Sequence, residues 1–396
     1  MQPCLALLAA AALRLAHGAE CGALPPADAP PGASFTWQSL APGEAAPAPA
    51  SYRIGVWGDS LTSARNFFDA ALQASGVSRS AVLPSFIQAG MGVPGLALPL
   101  KASCASPSWH TAYAYRAKAE PPAFAPGLVS MAASSPGATL ALDFRFPRAD
   151  TRVRQLDILY DKAAPEGSLL LAVSVDGQEE QPIPLSRASG GVLRIAPPAP
   201  MARLRLRLVS GQIRLHGFLP RYAAAPGMVL DTLSIPGALL RGWQQVDPGL
   251  LPAMPAYDLV VLQYGTNEGA SPAFDPAGYA AYLRASLARV RQLQPKARCI
   301  LIGPPDRGVT GTSAADPMKY SVIHRRIAGT QNQVGAEFGC AFWDWQGQTG
   351  GPGTALRWAR ASPPLMQPDL THMTAQGYEV SGRMFARSHR FTIAQH

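Results

Sequence analysis

The order of two textures along this chain limits the folds open to it. The apolar run Tyr52-Arg53-Ile54-Gly55-Val56-Trp57 ends in Gly58-Asp59-Ser60, and residues 64–74 then take helical spacing with few breakers. That pattern is a strand, a turn and a helix. Similar alternation returns only at Met228. From there strands are expected over 228–235, 257–263, 298–303 and 340–343, and helices over 277–293, 318–334 and 374–388. Between about Lys101 and Tyr222 lie short alternating runs at 140–146, 152–160, 168–175, 191–195 and 202–208, parted by turns such as Asp176-Gly177 and Gly190-Gly191. Short strands at this spacing predict a β-sandwich.

The expected architecture is therefore α/β, a parallel sheet flanked by helices, interrupted by an all-β sandwich insert. Its parts are a secretory signal over 1–19, a linker or irregular arm over 20–51, a first α/β part over 52–100, the insert over 101–226 and a second α/β part over 227–396. The signal reading rests on the Ala/Leu-rich run from Leu5 to Ala16 followed by small residues near Gly18 and Ala19, although Arg14 interrupts the run and no positive charge precedes it. Export also suits the cysteines. Cys21, Cys104, Cys299 and Cys340 remain once Cys4 is removed, an even set without the CxxC spacing of a zinc or thioredoxin site. Cys299 and Cys340 read as small buried hydrophobes in strands, and a Cys21–Cys104 bridge is entertained without support from spacing.

Open parallel sheets carry their reactive groups at the carboxyl ends of strands. Ser60 stands at such an end. A serine hydroxyl needs a positioned base, and imidazole is the usual one. In Asp369-Leu370-Thr371-His372 the carboxylate can fold back onto Nδ1 and leave Nε2 as the base, while Thr374 caps the following helix. Attack on an ester creates an oxyanion, and donors for it follow two further strands: the backbone N–H of Gly237 in Ser234-Ile235-Pro236-Gly237, and the side-chain amide of Asn267 in Gly265-Thr266-Asn267-Glu268. Each feature alone has a bland reading, as helix cap, turn former or solvated loop residue. Their order at successive strand ends sets them apart.

With Ser60, Gly237, Asn267 and His372 matching its four named residues, and Asp369 the acid of its last block, the sequence resembles the SGNH (GDSL) hydrolase family over 52–100 and 227–390. Ser234 departs from the glycine that close relatives often carry. The resemblance implies a flavodoxin-like parallel sheet, a Ser60–His372–Asp369 triad, and an oxyanion hole from Ser60, Gly237 and Asn267, with neither cofactor nor metal. The β-rich insert, GTNE and Gly303-Pro304-Pro305-Asp306-Arg307 together resemble peptidoglycan O-acetylesterases of the Gram-negative periplasm, whose insert is similar to a carbohydrate-binding module. This implies an exported enzyme taking acetyl groups from a glycan. The alternatives are an O-acetyltransferase using the same residues and a non-catalytic carbohydrate-binding protein.

The remaining features bound partners. The formal charge of +9 favours anionic surroundings. No zinc-finger spacing or RNP-type motif points to nucleic acid, and no apolar run beyond the N-terminus reaches bilayer length. Arg203-Leu204-Arg205-Leu206-Arg207-Leu208 puts arginines on one strand face, either solvated or meeting an acidic sugar. Trp343, Trp345 and Trp358 read equally as core or as stacking platforms for sugar. Gly90-Met91-Gly92-Val93-Pro94-Gly95 fits GxGxxG, but Pro94 and Pro99 obstruct the helix that a phosphate site needs, so a loop is expected.

Overall fold

The computed structural model describes residues 34–44, 51–118, 123–145, 151–162, 168–185, 190–254, 256–271, 273–310 and 316–391. The expected signal segment, Cys4 and Cys21 lie outside these residues.

Six strands form one parallel sheet, in the order Cys340–Trp343, Arg298–Ile302, Leu259–Gln263, Tyr52–Gly58, Met228–Thr232 and Val82–Leu83. These strands are apolar almost throughout because helices cover both faces. Val260, Leu262 and Leu301 point into a core shared with the helices Pro276–Leu293 and Lys319–Glu337. On the other face Ile54, Val56, Val261 and Ile300 meet Asn66–Ala74 and Ala375–Ser388. The last two helices pack closely. A Cβ on Gly382 would lie 2.1 Å from the Phe67 carbonyl oxygen, so glycine is what permits the approach. Trp343 and Trp345 are buried in this core beside Phe67 and Phe385, which decides between their two readings in favour of packing.

The intervening block forms two antiparallel sheets that share one apolar core. One holds Gln181–Leu185, Leu169–Val175, Arg203–Ser210, Thr139–Asp143 and Ala102–Ala105. The other holds Gly191–Ala196, Val153–Lys162, Ile213–Tyr222, Val129–Ala133 and His110–Tyr113, and it recruits strands from outside the block. Thr36–Leu40 pairs with Gly191–Ala196, so this part of the expected arm is a strand. Ile87–Gln88, from the first α/β part, pairs with Ile213–Tyr222. Sequence could not show either pairing, since the first partner sits among Pro, Ala and Gly and the second is only two residues long.

Two further expectations are corrected. The arginine face is not merely solvated, although Arg205 is exposed, 4.0 Å from Glu180. Arg203 donates to Asp143, and Arg207 pairs with Glu180, while Leu204, Leu206 and Leu208 are buried as the alternation requires. Cys299 and Cys340 are not separate thiols but a disulfide between register partners on neighbouring parallel strands, with Cα atoms 4.5 Å apart. Cys104 is also disulfide-bonded. Among the described residues no helix is long and apolar enough to cross a membrane.

The Cys299–Cys340 bridge closes a loop spanning 41 residues. Replacing both cysteines by serine is expected to lower the unfolding free energy by about 2–4 kcal/mol in urea titrations. Equal stability, or no cross-linked peptide in a non-reducing digest, contradicts this.

Candidate active site

Ser60 sits two residues beyond the strand Tyr52–Gly58, in a turn packed too tightly for most side chains. A Cβ on Gly58 would lie 2.2 Å from Thr62 Oγ1. The helix expected over 64–74 runs over Asn66–Ala74, so the turn before it, rather than a helix terminus, holds the serine. Beneath it Asp59 is fully buried. Its Oδ1 accepts the Leu61 N–H at 2.9 Å, and Oδ2 accepts Gln263 Nε2 at 3.3 Å. Gln263 Oε1 in turn accepts the Thr62 hydroxyl at 3.1 Å, so Ser234, 2.8 Å from Thr62 Oγ1, must be the donor of that pair. Ser234, the departure from the family pattern, is thus a brace for the serine turn. Burial pushes Asp59 up to about 7 against the pull of the Leu61 N–H, with the Glu268 charge adding to the rise.

His372 reaches this turn from 312 residues away, its Nε2 2.9 Å from Ser60 Oγ. Nδ1 lies 2.7 Å from Asp369 Oδ2. An ionised carboxylate only accepts, so Nδ1 carries the proton and Nε2 presents the lone pair that receives the serine hydroxyl. The other Asp369 oxygen accepts the backbone N–H groups of Thr371 and His372, both at 2.9 Å. Burial raises the Asp369 carboxyl, but the His372 ring and these two N–H groups outweigh it and hold it below the ordinary carboxylate range. Folding the Asp back requires Leu370 at φ 54°, a region costly for a branched side chain. The Leu370 carbonyl is held there by the Gly308 N–H at 2.8 Å, and the Thr374 side chain caps the helix that follows.

Gly237 follows the strand Met228–Thr232 with φ 78°, and Asn267 follows Leu259–Gln263. The strand bearing Ser60 lies between these two, where the chain reverses its direction of travel across the sheet, the usual place for a ligand crevice. Among the described residues no acceptor takes the backbone N–H of Ser60 or Gly237. Asn267 Nδ2 spends one hydrogen on the Ala238 carbonyl at 3.0 Å, which fixes the amide and leaves its second hydrogen available. Glu268 fastens the two loops together. It accepts the Leu240 N–H, the Gly265 N–H and the Tyr282 hydroxyl, each at 3.0 Å, and burial raises its carboxyl.

The GDSL-like lipase/acylhydrolase family model matches residues 206–380, a span that includes Gly237, Asn267, Asp369 and His372. Over that span the chain is similar to GDSL-like acylhydrolases. Ser60 falls outside the matched span, which begins within the sandwich strand Arg203–Ser210. Among solved structures, one titled peptidoglycan O-acetylesterase matches with TM-score 0.63 and 19% identity, covering 85% of this chain and 90% of that one. A lipase/acylhydrolase from Enterococcus faecalis matches with TM-score 0.32 and 21% identity over 43% of this chain and 80% of its own. A carbohydrate esterase family 2 enzyme from Myceliophthora fergusii gives TM-score 0.30 and 15% identity over 70% and 98%. No curated protein matches the chain.

Sequence reasoning assigned no bracing role to Thr62, Ser234, Gln263 or Glu268, which support the candidate site. Glu268 was visible as the last letter of GTNE, but its three donors come from loops that only the fold brings near. The GxGxxG segment is a loop, as expected. It lies against the site, with Gly95 O accepting the Ser63 hydroxyl at 2.9 Å. Among the described residues no group of three or more His, Cys, Asp or Glu could hold a metal.

The elevated Asp59 carboxyl has a signed consequence. The folded state keeps a proton that the unfolded chain gives up near the ordinary value of 3.8, so this residue's contribution is full below that pH and lost as pH rises to about 7. Asp59→Asn is expected to flatten the decline in stability across that window, read from urea midpoints. An unaltered slope refutes the assignment.

Proposed function

We propose that this chain is an esterase that removes O-acetyl groups from a cell-wall glycan, with peptidoglycan as substrate, through an acetyl-enzyme on Ser60, and that it works as an exported protein. The single observation that supports this mechanism is the unbroken proton path, 2.9 Å from Ser60 Oγ to His372 Nε2 and 2.7 Å from Nδ1 to Asp369. Ser60 Oγ attacks the acetyl carbonyl carbon while its proton passes to Nε2. The C–O π pair moves onto oxygen, and the N–H groups of Ser60 and Gly237 and the Asn267 amide stabilise that charge. As the oxyanion collapses, the ester C–O bond breaks and the departing sugar oxygen takes the proton from Nε2. Water then attacks the acetyl-serine, gives its proton to Nε2, and acetate leaves as Ser60 Oγ is reprotonated. Asp369 keeps the imidazole in the required tautomer and stabilises its protonated form.

The substrate class draws support from the likeness to a structure titled peptidoglycan O-acetylesterase, which spans both the parallel sheet and the sandwich at 85% of this chain. The net charge of +9 favours approach to an anionic wall polymer. The His372 and Asp369 side chains are 42% and 49% exposed, which suits a site that a polymer must reach from outside. The same openness favours hydrolysis over transfer to a second sugar, because transfer requires water to be kept from the acetyl-enzyme.

Ser60→Ala is expected to abolish acetate release from purified O-acetylated peptidoglycan while leaving the circular dichroism spectrum unchanged. Asn267→Ala should lower kcat by about 10²–10³-fold with a small effect on KM. Retained turnover in the serine variant defeats the nucleophile assignment. Turnover confined to aryl or long-chain esters defeats the substrate assignment.

A further inference from the structure

The segment Gly303-Pro304-Pro305-Asp306-Arg307 follows the strand Arg298–Ile302 and bonds to the loops that carry Asn267 and His372. From Pro305 to Gly308 each residue commits a polar group. His324 Nδ1–H donates to the Pro305 carbonyl at 2.7 Å. Asp306 is fully buried, and its carboxylate accepts Gln346 Nε2 at 2.9 Å, the Ala355 N–H at 3.0 Å and the Ser321 hydroxyl. Arg307 Nη1 donates to the carbonyl of Thr266, the residue before Asn267, at 2.9 Å. The Gly308 N–H donates to the Leu370 carbonyl, in the histidine loop, at 2.8 Å.

Arg307 and Gly308 therefore span the gap between the oxyanion side of the site and the base side. Among the described residues no hydrogen bond joins the Thr266–Asn267 turn to the 369–373 loop directly. Arginine is a costly residue for this place. Its Nε is buried and meets no acceptor among the described residues. Burial also lowers its pKa, and Tyr320, Asp59 and Asp369 act against the fall, so the guanidinium is in electrostatic reach of both the serine turn and the triad acid. An apolar side chain of similar length would avoid both penalties. The guanidinium rests over the Tyr320 ring, 5.3 Å from its centroid, which fixes the direction of the side chain.

We propose that Arg307 is a positioning residue for ester cleavage: its hold on the Thr266 carbonyl sets the Asn267 amide relative to the His372 imidazole, which Gly308 secures through Leu370. This rests on the reaction proposed at Ser60. There the oxyanion forms on the carbon that the serine attacks while His372 takes the proton, so donor and base must keep one spacing through both halves of the reaction. The bond from Asn267 to the Ala238 carbonyl orients the amide within its own side of the site. Arg307 supplies the link across to the other side. A misplacement of about 1 Å between such groups costs about 10²-fold in rate.

Steady-state hydrolysis of a short aryl acetate by the full chain tests the assignment without reference to the natural glycan. Arg307→Met is expected to lower kcat about 10- to 100-fold with KM little changed. The deciding measurement is a double-mutant cycle. Because Arg307 acts through Asn267, Asn267→Ala should cost about tenfold less in the Arg307→Met background than in the wild-type chain. Arg307→Lys, which keeps a donor for the Thr266 carbonyl, should recover most of kcat and the full cost of Asn267→Ala. Arg307→Gln, still polar, repeats the cycle if the methionine variant does not fold. Multiplicative effects in the cycle, the result of a general loosening of the fold, overturn the proposal, as does wild-type kcat in Arg307→Met. If Asn267→Ala leaves even the wild-type chain unaffected, the oxyanion assignment beneath the proposal fails and takes it along.

Discussion

The hydrogen bond between His372 Nε2 and Ser60 Oγ joins positions 312 residues apart, so the proposed chemistry depends on how well the two chain segments are held in register. The helices behind them do that. Asn66–Ala74 follows the serine turn, Ala375–Ser388 follows the histidine loop, and Gly382 lets the second press against the backbone of the first at Phe67. Phe67, Trp345 and Phe385 fill the space around this contact with ring centroids 4.9 to 5.6 Å apart. Such close-packed rings leave little room for one helix to slide, and sliding by one residue rise of about 1.5 Å would break a hydrogen bond of this length.

A second set of bonds organises the donor side. The loops bearing Gly237 and Asn267 end different strands, and nothing in the parallel ladder itself fixes their relative positions. Asn267 to the Ala238 carbonyl and Glu268 to the Leu240 and Gly265 N–H groups make that connection. A buried carboxylate with three donors is costly to form and stiff once formed. The raised carboxyls of Glu268 and Asp59 are therefore consequences of bracing the site with short buried acids rather than signs of proton transfer by them. The proposed proton path runs through His372 alone.

Much of this arrangement was legible in sequence, for identifiable reasons. Strands buried on both faces read as apolar runs, the helices over 276–293, 319–337 and 375–388 kept their spacing, and the last kept its expected cap at Thr374. The five site residues were readable because each stands at the end of such a strand or just before such a helix. The bracing residues were not, because Thr62, Ser234 and Gln263 meet only after three strands have assembled, and a hydroxyl or amide near a turn has many uses. The Cys299–Cys340 bridge was hidden differently: two cysteines in apolar strands look alike whether or not those strands are register partners. Thr36–Leu40 was masked by composition, since an edge strand gains its hydrogen bonds from its neighbour and needs little apolar character of its own.

The position of the sandwich follows from the same constraints. It enters after Val82–Leu83 and leaves before Met228–Thr232, so it lengthens a connection between neighbouring parallel strands without breaking either one. A long excursion costs little in loop closure, because that cost grows only with the logarithm of length. What such an insert risks is a loose hinge beside the site. The chain meets this with contacts at the site itself: Trp57 Nε1 donates to the Pro126 carbonyl at 2.6 Å, Arg241 Nε donates to the Tyr115 carbonyl at 2.8 Å, and the Tyr115 hydroxyl borders Gly237. A side chain on Gly237 would meet that hydroxyl at 3.3 Å, in a backbone conformation that already disfavours one. The insert is thus part of the wall around the proposed oxyanion turn, and the turn's glycine answers to the sandwich as much as to its own φ.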